Sequence, residues 1–269
     1  MYESFFGLEH PPFQISPDPE FLYPSRVHEE ALEHIRFSLN HFKGICLVTG
    51  PVGSGKTTIC RQILRELNPE GVNHALILNP RLGENELLQN ILSDLGAPLQ
   101  SDEGAAQKLQ DLILELHKVG RHVIILVDEA HVMPTESLEV LRLLTNLETT
   151  ERKLVQVVLF AQPEMEERLK KESRLLPFRQ RILVHCRLAP LRYQEMVAYI
   201  DHRLQVAGAA DEVRFSMLAR RAIHRWSEGV PRLINHLCDK AMLSAYVRQD
   251  HRIHFGDAQR ARRDVGALL

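Results

Sequence analysis

Residues 50–57 read Gly-Pro-Val-Gly-Ser-Gly-Lys-Thr, the spacing GxxxxGK[ST] that suits a loop built to hold phosphate. Gly50, Gly53 and Gly55 can take positive φ and turn successive backbone N–H groups into a cradle. Pro51, Val52 and Ser54 complete the loop, and the N-terminus of the helix that follows adds partial positive charge. Lys56 brings a full charge to the β- and γ-phosphates of a nucleotide. The Thr57 hydroxyl can ligate Mg²⁺, and Thr58 is a further phosphate contact.

A second group closes the apolar run His122-Val-Ile-Ile-Leu-Val, which ends in Asp128-Glu129. Carboxylates at the end of a buried parallel strand lie where ligands gather. Asp128 is expected in the Mg²⁺ shell, largely through water, and Glu129 is expected to orient and deprotonate an attacking water. The string continues to His131 and spells the DEAH box of a helicase superfamily. Such helicases need two full core domains, too much for the residues that follow here, so His131 reads as incidental.

Three further positions suit phosphoryl-transfer chemistry. Gln162 follows the run Leu154–Phe160 and is placed to sense γ-phosphate and water. Arg181, then Arg179, then Arg174 precede the fifth strand run and are candidates for a finger supplied in trans. Arg232, in Gly-Val-Pro-Arg, falls at a helix start, where the helix dipole disfavours a cation unless an anion is near. It reads as a second sensor of the nucleotide.

These residues need a scaffold. Apolar runs at Ile45–Thr49, His74–Leu78, His122–Val127, Leu154–Phe160 and Ile182–Cys186 alternate with helical patterns at Thr57–Leu67, Glu84–Leu95, Ala105–Val119, Thr135–Leu147 and Pro163–Lys170. Such alternation predicts a parallel sheet covered by helices on both faces. A Pro/aromatic arm over residues 1–25, including Phe5, Phe6, Phe13, Pro17 and Phe21, is expected to pack on the core. Residues 26–190 form the α/β nucleotide-binding domain. Residues 191–269 form a helical domain, with patterns at Arg192–Val206, Ser216–Trp226, Pro231–Val247 and Gly256–Arg263 and no strand run comparable to the first five.

Composition narrows the class. The 269 residues are 44% hydrophobic, typical of a globular chain rather than a disordered one. Cys46, Cys60, Cys186 and Cys238 are scattered with no CxxC pair, which fits a reducing compartment without disulfides or zinc. Fourteen histidines lack metal-ligand spacing. No apolar run approaches the ~20 residues of a membrane span, and the opening residues do not read as a signal peptide.

Taken together, GPVGSGKTT, ILVDEAHVM, FAQPE, FRQRI and GVPRLINHLCDKAML resemble the AAA+ ATPases. With FFGLEHPPFQISPDPEFLYPSRVHEEAL, ALILNPRLGENELLQNIL and LRLLTNLE, the chain is similar to the general secretion pathway protein A (ExeA) and MSHA-type pilus biogenesis (MshM) group. His131 departs from that group, where Gln looks commoner. The resemblance implies a P-loop NTPase αβα sandwich with strand order 5-1-4-3-2 plus a C-terminal helical lid, and ATP with Mg²⁺ as ligands. It also implies a homo-oligomeric ring or filament with nucleotide between subunits, and an inner-membrane secretion or pilus assembly protein as partner. The chain is expected in the cytoplasm, at the face of the bacterial inner membrane. Transposon target-selection ATPases share the subgroup, so a DNA-associated transposition regulator is the alternative, and only there is nucleic acid a partner.

The formal net charge of −2 conceals a strong polarity. Residues 1–167 carry 13 Lys+Arg against 25 Asp+Glu, whereas residues 168–269 carry 20 against 10. A basic end and an acidic end on one chain suit head-to-tail docking of copies.

Overall fold

A computed structural model describes residues 2–15, 19–99, 104–150, 152–210 and 212–266; Pro17 lies outside them. The chain divides into two compact units. One comprises Val27–Gly50 and Ile59–Leu188; the other comprises Met1–Arg26, Pro51–Thr58 and Ala189–Leu269.

The first unit holds five parallel strands: β1 (Ile45–Thr49), β2 (Val72–Ile77), β3 (His122–Val127), β4 (Val155–Ala161) and β5 (Ile182–Arg187). Their order is β2-β3-β4-β1-β5, the order implied by the resemblance read from the other edge. β1 and β4 are buried along their whole length, because helices cover both faces and an interior parallel strand has no solvent side. β5 ends the sheet and is only partly buried, with Leu183 exposed.

Strand residues alternate between the faces. Ile45, Leu47, Ile125, Val127, Val157 and Leu159 share a core with Leu87 and Ile91 of α3 (Glu84–Asp94), Leu109 and Ile113 of α4 (Ala105–Lys118), and Leu138 and Leu141 of α5 (Thr135–Leu144). The other face meets α1 (Arg26–Asn40) and α2 (Lys56–Glu66). There the buried Gln156 amide of β4 donates to the carbonyls of Ser38 and Leu39 at the end of α1, so its burial leaves those donors satisfied. Arg36 of α1 pairs with Glu66 of α2. α6 (Glu164–Lys171) and α7 (Leu176–Arg181) lie between β4 and β5 in sequence.

In the second unit, α8 (Tyr193–Val206), α9 (Met217–Ser227), α10 (Pro231–Val247) and α11 (Phe255–Gly266) enclose an apolar core containing Ile200, Ile223, Ile234, Met242 and Ala258. Ser216 caps α9 by accepting the Ala219 N–H. Two strands absent from the sequence reading, β6 (Arg214–Phe215) and β7 (Arg252–Ile253), pair in parallel.

The arm differs from its expected place. Phe6, Phe13 and Phe21 belong to the core of the helical unit rather than to that of the sheet. Phe5 stacks on His251 with ring centroids 4.4 Å apart. Arg203, only 6% exposed, donates to the Pro12 and Gln14 carbonyls and stacks on Phe21. The arm's aromatics thus add apolar area to the core of the four helices.

Candidate functional site

β1, β3 and β4 end at one edge of the sheet, and Asp128, Glu129 and Gln162 follow the ends of β3 and β4 there. Beyond β3, Asp128 is 5% exposed, and its Oδ1 accepts the Glu129 N–H at 2.9 Å. The Asp128 N–H itself donates to the Ile77 carbonyl. Glu129 sits at φ 52°, ψ 34°, the left-handed region that a residue with a Cβ enters at a cost. That turn swings its carboxylate toward β4, where Gln162 Nε2 donates to Glu129 Oε2 at 3.1 Å. The two acids and Gln162 are therefore brought together as the sequence indicated.

His131 belongs to the same group and was missed. Its Nδ1 lies 3.6 Å from Glu129 Oε2 and accepts the Gln162 backbone N–H at 3.5 Å. The ring thus lies between the Glu129 carboxylate and the Gln162 backbone. The Asp-Glu-x-His string carried the signal, and the helicase comparison diverted it.

A second network missed from sequence gathers at the end of β1. Thr49, the last residue of β1, donates its hydroxyl to Glu166 Oε1 at 2.7 Å and receives His185 Nε2–H at 2.9 Å. Arg187 pairs with both oxygens of Glu166. Burial pushes the Glu166 carboxyl up, but the bonds from Arg187 and Thr49 outweigh it and hold it below the usual carboxylate range. Burial lowers the His185 imidazole against the pull of Glu166. Neighbouring strands and α6 are needed to assemble this cluster, so no local pattern announces it.

The loop itself groups with the helical unit. Gly53 and Gly55 take φ +78° and +97°. Ser54 N–H donates to the Pro51 carbonyl, and Lys56, 4% exposed, donates its ammonium to the same oxygen at 3.0 Å. Val52 is exposed, Thr57 and Thr58 are half-buried in the first turn of α2, and Gly50 N–H donates to the Ala161 carbonyl at the end of β4. Arg232, in the first turn of α10, donates its backbone N–H to the Gly53 carbonyl at 3.2 Å. A Cβ on Gly53 would lie 2.4 Å from the Arg232 Cβ, so only glycine permits this approach.

The donor set fits a nucleotide's phosphates: a glycine loop with two left-handed residues, a helix N-terminus, a buried lysine and an adjacent arginine. Among the described residues no three His, Cys, Asp or Glu side chains converge on a metal.

Arg179 and Arg181 are not brought to this group. α7 ends where β5 begins, and Ile182 pairs with Ile45 at the start of β1, the edge opposite Asp128. Arg174 and Arg179 are exposed and Arg181 is half-buried.

Comparisons with known proteins bear on the family and the fold. A family described as AAA domain matches residues 39–169. General secretion pathway protein A of Aeromonas hydrophila is 43% identical over the whole chain, which spans about half (49%) of that relative's length. Among solved structures, ORC2 of Aeropyrum pernix superposes with a TM-score of 0.68 at 16% identity, covering 91% of this chain and 71% of that one. Cdc6p of Pyrobaculum aerophilum gives 0.69 at 14%, covering 92% and 71%. The RuvB branch migration motor of Thermotoga maritima gives 0.59 at 19%, covering 93% and 73%. At these identities the structures speak to the fold alone. With its phosphate loop, its strand-end acids and its sheet order, the chain has a P-loop NTPase fold, matches an AAA domain over residues 39–169 and resembles general secretion pathway protein A along its whole length.

Proposed function

We propose that this chain binds ATP with Mg²⁺, hydrolyses it, and uses the cycle to assemble an envelope-spanning secretion or pilus machine. The observation that carries the hydrolytic reading is the Glu129 carboxylate, held by Gln162 beside a buried Asp128. The N–H groups of residues 53–57 and the Lys56 ammonium hold the phosphates. Arg232 reaches the same phosphates from α10. Thr57 and Asp128 hold the cation, which when bound neutralises phosphate charge. Glu129 takes the proton of the attacking water while Gln162 holds that water in line.

Residues 26–190 act as the nucleotide-binding domain and residues 191–269 as a lid to which the arm is bound. Arg181, with Arg179 beside it, precedes β5 and serves as the finger for a neighbouring copy in a ring or filament. The charge polarity along the chain supports such head-to-tail contact. Similarity to a general secretion pathway protein supports an inner-membrane assembly protein as partner and action at the cytoplasmic face of that membrane.

The test is Glu129→Gln. Binding of a fluorescent ATP analogue should persist, and steady phosphate release should fall by ~10²–10⁴-fold. Turnover equal to the parent would remove Glu129 as the base. Turnover that needs DNA, with an affinity that falls steeply in salt, would favour a DNA-bound regulator instead.

A further inference from the structure

Among the described residues, no element covers one face of α9. Leu218, Arg221, Ala222 and Arg225 recur at three- and four-residue steps and border a groove of about 760 Å³, with Trp226 as part of its lining. Leu218 is 61% exposed, unusual for a large aliphatic side chain on a helix with a well-packed opposite face. Leu233 and Leu237 of α10 extend the apolar lining. On the far side, the Arg262 guanidinium of α11 lies 5.0 Å over the Trp226 ring, and Phe255 sits 6.1 Å from it.

The charge of this groove is one-sided. Arg221, Arg225 and Arg262 line it, against the single carboxylate of Glu228. Neither Arg221 nor Arg225 is paired with a carboxylate among the described residues. An apolar floor edged by guanidiniums matches a segment with an apolar stripe flanked by Asp or Glu, the helix-in-groove mode of recognition. Nucleic acid fits less well, since a phosphate backbone gains nothing from Leu218, Leu233 and Leu237, and Arg262 already covers a face of Trp226 that a base would stack on.

We propose that this groove docks an acidic amphipathic helical segment of a partner protein. The site is separate from the nucleotide loop and does not depend on the ATPase reading. Leu233 directly follows Arg232, so an occupant would press on the same turn of α10 that touches Gly53.

Trp226 is the chain's single tryptophan and lines the groove, so its emission in the folded protein reports on that site. The full chain is titrated with an acidic Leu/Glu peptide of about four helical turns, with its Leu/Lys counterpart and with a single-stranded oligonucleotide. Saturable change in Trp226 emission is expected with the acidic peptide and not with the other two. Arg221→Glu/Arg225→Glu, checked for an unchanged melting profile, should weaken that peptide at least tenfold and admit the basic one. Equal response to both peptides, response to none, or tighter binding of the oligonucleotide would overturn the proposal. So would concentration-dependent change in the protein alone that the double variant abolishes, since the occupant would then be a second copy.

Discussion

The approach of Arg232 to Gly53 can be tested by filling it. Gly53→Ala incurs two costs. The left-handed conformation at φ +78° costs an alanine about 1–2 kcal/mol. The new Cβ would lie 2.4 Å from the Arg232 Cβ, against ordinary carbon contact at ~3.5–4.0 Å, so the two backbones must part by more than ~1 Å. Forced overpacking of that kind costs about 1–3 kcal/mol. Gly7→Ala supplies the control within the same unit: its φ is +67°, but the nearest atom to its Cβ would be a comfortable 3.5 Å away. Urea unfolding followed by Trp226 emission should place Gly53→Ala ~2–5 kcal/mol below the parent and Gly7→Ala only ~1–2 kcal/mol below. Arg232→Gly removes the opposing Cβ, so the double variant should recover about 1–3 kcal/mol relative to additivity. Affinity for a fluorescent ATP analogue should fall with Gly53→Ala and not with Gly7→Ala. Equal stability losses in the two alanine variants, together with an additive cycle, would refute the close approach.

Two other outcomes are expected. Arg181→Ala should bind ATP yet lose oligomer-stimulated turnover, and mixing it with Lys56→Ala subunits should restore part of the activity; absence of rescue in co-assembled, folded mixtures would remove the finger role. Asp257 is buried, which alone would raise its carboxyl, but bonds from Arg248, the His254 N–H and Ser244 hold it below the usual carboxylate range. A depressed folded value stabilises above the unfolded carboxylate range and is lost as pH falls through the folded value. Asp257→Asn should therefore lower stability at neutral pH and flatten its loss in acid, read from melting profiles between about pH 2 and pH 6.

What was legible in the sequence follows from how local each signal is. β1 and β3 begin and end where their apolar runs do, because both faces are covered and polar residues mark the exits. The phosphate loop and Asp128-Glu129 are contiguous strings whose chemistry needs little else. β2 is shifted from its expected range because Leu78, apolar but exposed, falls beyond the last paired residue. β6 and β7 contain two residues each, too few to show a period. α7 is six residues with Pro177 in its first turn, too short for a helical pattern. The Thr49–Glu166–His185–Arg187 cluster and the seat of His131 depend on which strands are neighbours, which no single segment states. The arm's aromatics announced burial but not the surface they bury against.

Among the described residues, four other than glycine have positive φ: Phe42, Glu129, Glu228 and Gln249. Phe42, Glu228 and Gln249 follow the ends of α1, α9 and α10, where a left-handed residue caps the helix and its cost is offset by carbonyls satisfied there. Glu129 follows a strand, and no such return applies. Selection for foldability alone would write glycine at that position and gain stability from it. The strain at Glu129 thus measures, in free energy, what the fold gives up to keep a carboxylate at the mouth of the sheet.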